Sequence, residues 1–185
     1  MACGGYKTMN EKIEVLSIYG RVAYCMMCVE KYVKTKYGTN DLSCFENIFW
    51  SFSQKGQYLD KWAYRLLEIV PTYLFEYPDY ATTKKKEGCS IDEGTFSKAR
   101  EIFNKDDDVL SKLLNNAYDV AMVYSYTSIP GNGEDSIDIC LDSVSILKEL
   151  SIDLPSIPEM KPLMFETKNG WGEPFDYKQL SILFA

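Results

Sequence analysis

One stretch constrains this chain more than any other: Ser17-Ile-Tyr-Gly-Arg-Val-Ala-Tyr-Cys-Met-Met-Cys-Val-Glu-Lys-Tyr-Val33. Between Val22 and Val29 it carries no charge and no amide. At helical spacing Val15, Ile18, Val22, Cys25 and Val29 form one apolar row. Leu16, Tyr19, Ala23 and Met26 or Met27 form a second row beside it. A helix that is apolar most of the way round needs neighbours on several sides. The stretch is therefore expected to be the central helix of a bundle, with the rest of the chain wrapped around it.

The 185 residues suffice for one domain with a real core, and 46% of them are hydrophobic, an ordinary globular share. The longest apolar run falls far short of the ~20 residues that span a bilayer. The opening Met1–Thr8 lacks a basic segment followed by an apolar one, so no secretory signal is expected. The six cysteines, Cys3, Cys25, Cys28, Cys44, Cys89 and Cys140, show no framework spacing. Free thiols in a reducing cytoplasm are the expectation.

The chain has no histidine. That removes the commonest general base, the usual partner of a Ser or Cys nucleophile, and the commonest metal ligand. Charge is unevenly distributed. Residues 1–86 carry 12 Lys and Arg against 9 Asp and Glu, a net of +3; residues 87–185 carry 8 against 18, a net of −10. An acidic C-terminal half disfavours nucleic acid, which needs a cationic face. It suits a basic protein partner, because complementary charge speeds encounter and selects partners.

In chain order, helix is expected from Asn10 to Lys36, ending near Gly38. Thr39-Asn-Asp41 offers a cap for a second helix with Leu42, Phe45, Phe49 and Phe52 on its face, ended by Gly56. Asp60 can cap a third, anchored by Trp62, Leu66, Ile69 and Val70 and broken at Pro71. Residues 78–89 read as a loop, with Lys84-Lys-Lys86 at a solvated tip. Ser90-Ile-Asp-Glu93 fits a capping box for a fourth helix carrying Phe96, Ala99 and Phe103. Asp106-Asp-Asp108 starts a fifth, with Leu110, Leu113, Leu114, Ala117, Ala121 and Tyr124 turned inward. Ile129-Pro-Gly-Asn-Gly133 ends it. A sixth runs from Glu134 to Leu150 on Ile137, Cys140 or Leu141, Val144 and Leu147. Pro155, Pro158 and Pro162 then forbid further regular helix, and Leu180–Phe184 reads as a terminal strand or an arm lying in a groove. The fold class is all-α: a single domain of about six helices, with a helical core over 9–154 and an irregular Pro-rich tail over 155–185 packed on it.

Most motif-like features are better read as structure. Cys25-Met-Met-Cys28 has redox spacing, but it lies mid-helix, where no helix N-terminus lowers a thiol pKa, and zinc would need a second pair. Core packing is the expectation. Asp106–Asp108 lacks the alternating oxygens of a calcium loop and reads as helix capping. No catalytic residue, metal ligand or cofactor is assigned. The informative surface is the sixth helix. Glu134, Asp135, Asp138, Asp142 and Glu149 fall on one side, opposite Ile137, Leu141 and Val144. They read either as a solvated face or as an acidic stripe that covers the basic cleft of a partner. Tyr77, Tyr80, Trp171, Phe175 and Tyr177 fall outside the helical runs, as binding anchors or as pins for loops. Trp171, in the turn Asn169-Gly-Trp-Gly172, looks exposed and joins the candidate partner-binding residues.

Four segments carry a resemblance: Tyr19-Gly-Arg-Val-Ala-Tyr24, Trp62-Ala-Tyr-Arg-Leu-Leu-Glu-Ile-Val-Pro71, Asp119-Val-Ala-Met-Val-Tyr-Ser-Tyr-Thr-Ser-Ile-Pro130 and Asn169-Gly-Trp-Gly172. With the histidine-free helical layout from Asn10 to the end, the chain resembles the all-helical immunity proteins of bacterial polymorphic toxin systems. The resemblance implies a cytoplasmic protein, not an enzyme, that binds and neutralises a cognate toxin. It carries no site residues onto this chain. A basic toxin is the expected partner, with no nucleic acid, no membrane and a monomer or weak dimer. The rival readings are a scaffold or regulatory domain docking through its aromatic tail, and a small-ligand binder or histidine-free enzyme using a bundle pocket.

Overall fold

The computed structural model describes residues 8–38 and 42–185. Its α-helices are α1 (Met9–Glu14), α2 (Ile18–Tyr37), α3 (Glu46–Trp50), α4 (Leu59–Leu67), α5 (Pro71–Leu74), α6 (Tyr80–Glu87), α7 (Glu93–Ile102), α8 (Asp108–Met122) and α9 (Glu134–Glu149). Short 3₁₀ turns flank α3 and punctuate the C-terminal tail. There is no strand among the described residues, so the fold is all-α. The tail meets the helices at one isolated bridge, Leu16 to Met164.

The apolar stretch is indeed the centre. From Val22 to Val33 every residue of α2 except Lys31 is buried. The helix packs on α8 most extensively and on α9 beside it, while α8 also receives α4. One contiguous core results. The thiols of Cys25, Cys28 and Cys140 are buried and free, as core packing predicts. Cys3 and the expected cap at Thr39–Asp41 lie outside the described residues.

The first helix is not continuous. It breaks at Val15–Ser17, because Ser17 takes extended φ/ψ and its Oγ accepts from Gly20 N–H at 3.1 Å, which starts a new helix. Val15, placed in the apolar row, is consequently 41% exposed. The new N-terminus is completed by the tail. Trp171 C=O accepts from Tyr19 N–H at 3.0 Å, one of the donors a helix start leaves without a partner. Leu163 C=O accepts from Ser17 N–H at 2.8 Å. Gly20 is required here: a Cβ would sit 2.5 Å from Leu163 O.

Three further expectations are corrected. Residues 78–89 are not one loop: Asp79 caps α6 by accepting from Thr82 N–H at 2.7 Å, and Gly88, left-handed at φ 71°, ends it. Lys84, Lys85 and Lys86 form the last turn of that helix, where cations suit the dipole. The Ser90–Glu93 capping box does not form. Asp92 caps α7 instead, and Ser90 is held by Glu68. Asp60 does not cap α4, whose N-cap is Tyr58. By contrast Gly38, the Pro71 break and the Asp107 cap of α8 fall where the residue pattern puts them.

Candidate functional site

The charged residues that bound the apolar run, Arg21 and Glu30, are both fully buried, and each organises a different region. Arg21 donates from Nη1 to Gly133 O at 3.0 Å and Ser136 Oγ at 2.7 Å, and from Nη2 to Glu14 O at 3.1 Å. Its guanidinium also lies 5.2 Å over the Phe165 ring. It thereby joins the end of α1, the start of α9 and the tail. Glu30 accepts from Trp50 Nε1–H at 2.6 Å, Ser181 Oγ–H at 2.7 Å and Ile182 N–H at 2.7 Å. Burial pushes its carboxyl up, against those hydrogen bonds. These two groups are structural staples, made of buried charge with its hydrogen bonds supplied.

A second buried carboxylate sits at the start of α8. Asp107 accepts from Leu110 N–H at 3.0 Å, from Tyr32 OH at 2.8 Å and from Tyr37 OH, and lies 3.1 Å from Lys36 Nζ. Burial opposes its charge, but these donors outweigh burial and hold its carboxyl below the ordinary range. The Asp106–Asp108 run is thus a cap tied to the end of α2.

The acidic residues of α9 do share one outward face, opposite buried Ile137, Cys140, Val144 and Leu147. They are not equivalent. Glu134 and Asp135 occupy the first turn, where negative charge complements the helix dipole. Asp135 also accepts from Tyr124 OH at 3.3 Å. Asp142 is engaged with α8: Asn116 Nδ2 donates to it at 2.7 Å, and Lys112 Nζ lies 3.4 Å away. Asp138 and Glu149 are exposed, and no hydrogen bond or ion pair among the described residues engages their side chains. They stand about 16 Å apart along the helix, at 1.5 Å per residue.

The aromatic tail lies on the body of the protein. Phe175 is buried edge-on to Trp50, with ring centroids 6.4 Å apart. Tyr177 stacks on Trp50 at 5.8 Å and donates to Glu46. Tyr80 OH donates to Ile91 O at 2.9 Å, and Tyr77 OH to Glu87 at 2.8 Å. Trp171 is only half-exposed; it shares a shallow depression with Tyr19, Tyr58, Asp60 and Ser125. It therefore stands apart from the α9 stripe.

One feature escapes the residue pattern altogether. A cleft of about 610 Å³ opens between α4, α5 and the connection from α6 to α7. Glu68 is turned to the connection, accepting from Ser90 N–H at 2.8 Å, Ser90 Oγ–H at 2.6 Å and Ile91 N–H at 2.9 Å. Cys89 also donates to it at 3.0 Å; burial, then this carboxylate, raises that thiol to about 12. Cys89 is thus no thiolate nucleophile at neutral pH.

The arrangement defines an all-α domain with an acidic outer helix and a mixed polar–aromatic cleft. Compared with known proteins, the chain matches no family model, no curated protein and no solved structure.

Proposed function

We propose that this protein is a stoichiometric inhibitor that binds a cognate bacterial toxin in the cytoplasm and masks its surface. The observation that carries the reading is the outward acidic face of α9, where Asp138 and Glu149 project charge that no partner among the described residues engages. A charge placed in this way steers a basic partner to one face. The net of −10 over residues 87–185 has the same sense. Masking needs surface complementarity and no turnover; a standard interface takes about 800 Å² from each partner.

The test is capture of a partner by the tagged protein from its source cells, followed by a toxicity assay. The expected result is a stoichiometric complex with a protein whose isolated toxic domain arrests growth unless this protein is co-expressed. A bait that comes back clean, or a partner whose toxicity is unaffected, overturns the reading.

A further inference from the structure

Among the described residues, the four tyrosines that stand exposed gather on one flank of the molecule. Tyr58 and Tyr64 rise from the cap and the middle of α4, Tyr73 from α5 and Tyr126 from the turn after α8. They show 66%, 52%, 48% and 76% of their surface to solvent. The register of α4 puts them there. Trp62, Ala63 and Leu66 are buried and α4 packs on α8, so Lys61, Tyr64, Arg65 and Glu68 fall on the opposite side at helical spacing.

The rings form one band. Tyr118 of α8 lies edge-on to Tyr64, with ring centroids 6.1 Å apart, and within electrostatic reach of Tyr73. Tyr126 also neighbours Tyr64, and its hydroxyl donates to Asp60 Oδ2 at 3.5 Å. Asp60 and Tyr58 share the shallow depression that holds Tyr19 and Trp171. A tyrosine side chain buries about 200 Å² when covered, so the four exposed rings alone offer roughly 500 Å². A standard interface takes about 800 Å² from each partner. Single exposed rings are ordinary; a connected band of this size marks an interaction surface.

The charge around the rings says what covers them. From Asp60 to Glu68, α4 carries two acids and two bases, Asp60 and Glu68 against Lys61 and Arg65, in a chain whose net charge is −7. Asp119 and Glu76 stand at the margins of the band, where solvent screens them. A strongly basic partner would meet Lys61 and Arg65 on this helix, and a strongly acidic one would meet Asp60. A second copy meets neither penalty, because each α4 presents balanced charge to the other. A tyrosine hydroxyl both donates and accepts, so a ring can pair with its own image. A two-fold contact asks for such a patch, complementary to itself.

We propose that two copies of this chain associate across a two-fold axis through the tyrosine band, α4 against α4. The inference does not depend on toxin neutralisation, because the band and the α9 face are built from different helices.

The mass of the full-length protein is measured by sedimentation velocity from about 1 μM to 1 mM at about 0.15 M salt. It is expected to rise from one copy to two. Amide exchange in residues 58–73 and 118–126 is expected to slow over the same range. Tyr64→Ser with Tyr126→Ser should raise the dissociation constant by roughly tenfold or more. Tyr126→Ser alone, at the most exposed of the rings, gives the readout if the double variant does not fold. Leu150→Ser removes an exposed apolar side chain at the end of α9 and is expected to leave the dimer unchanged. A single copy at every concentration overturns the proposal. So does a dimer retained in the tyrosine variants, or one lost equally in Leu150→Ser.

Discussion

Glu30 and Asp107 show how two buried carboxylates in one core come to opposite electrostatic ends. Glu30 has strong donors but no cation beside it among the described residues, so burial prevails and its folded pKa is raised. Asp107 has two tyrosine hydroxyls, a helix N-terminal amide and Lys36, so its folded pKa is lowered. Linkage then predicts opposite pH signatures. The advantage of wild type over Glu30→Gln is fully present below the unfolded value of about 4.3 and declines as pH rises through the elevated folded value. The advantage of wild type over Asp107→Asn is present above about pH 4 and is lost as pH falls through the depressed folded value. Urea unfolding of each pair across pH 3–8 measures both slopes. At neutral pH, Glu30→Ala strands the donors of Trp50, Ser181 and Ile182, and is expected to cost about 3 kcal/mol. An Ala variant as stable as wild type would show that the carboxylate is not needed as an acceptor.

Among the elements, α2 and the tail are one unit in the folded protein although they are far apart in the chain. The tail supplies carbonyls to the first turn of α2, and α2 supplies Glu30 to the tail's end. Gly20 sits at the closest approach, against Leu163 O. Gly20→Ala raises intrinsic helix propensity, which would stabilise an isolated α2. In the protein it forces the tail away, and the expected net effect is a loss of about 1–3 kcal/mol, as for overpacking in a core. Faster limited proteolysis within residues 155–185 should accompany the loss. An unchanged melting temperature with an equally resistant tail would show that the contact relaxes freely.

For the molecule as a whole, the acidic face is the testable surface, and the fold dictates which acids to use. Asp138→Lys with Glu149→Lys reverses two exposed charges and is expected to leave stability within about 0.5 kcal/mol of wild type. Affinity for the captured toxin should fall by roughly tenfold or more, with a weaker dependence on salt. Asp142→Lys is a poor surface probe. It removes the acceptor for Asn116 and sets a second cation against Lys112, so it is expected to destabilise the α8–α9 packing. Undiminished affinity in the Asp138–Glu149 double variant would remove α9 from the interface.

What the sequence by itself determined is local or periodic. The uncharged run from Val22 to Val29 made α2 central, and the stripes of α8 and α9 follow from side chains recurring at helical spacing. Gly38, Pro71, Asp107 and Gly133 mark their helix boundaries, because each acts through its own backbone or one turn away. The tertiary structure decided what depends on partners distant in the chain. Ser17 breaks the first helix where the tail can cap it. Glu68 takes Ser90 away from a capping box that looked complete. Arg21 and Glu30, which read as the polar ends of an apolar stretch, are buried because Gly133, Ser136, Trp50 and Ser181 come to them. Asp142 leaves the free acidic surface for Asn116, and the Arg65 Nε–H meets no acceptor among the described residues, beside a cleft that no spacing announces. Periodicity tells which side of a helix faces the core; it does not tell which polar group waits there, because a hydrogen bond's partner is set by the packing of whole elements.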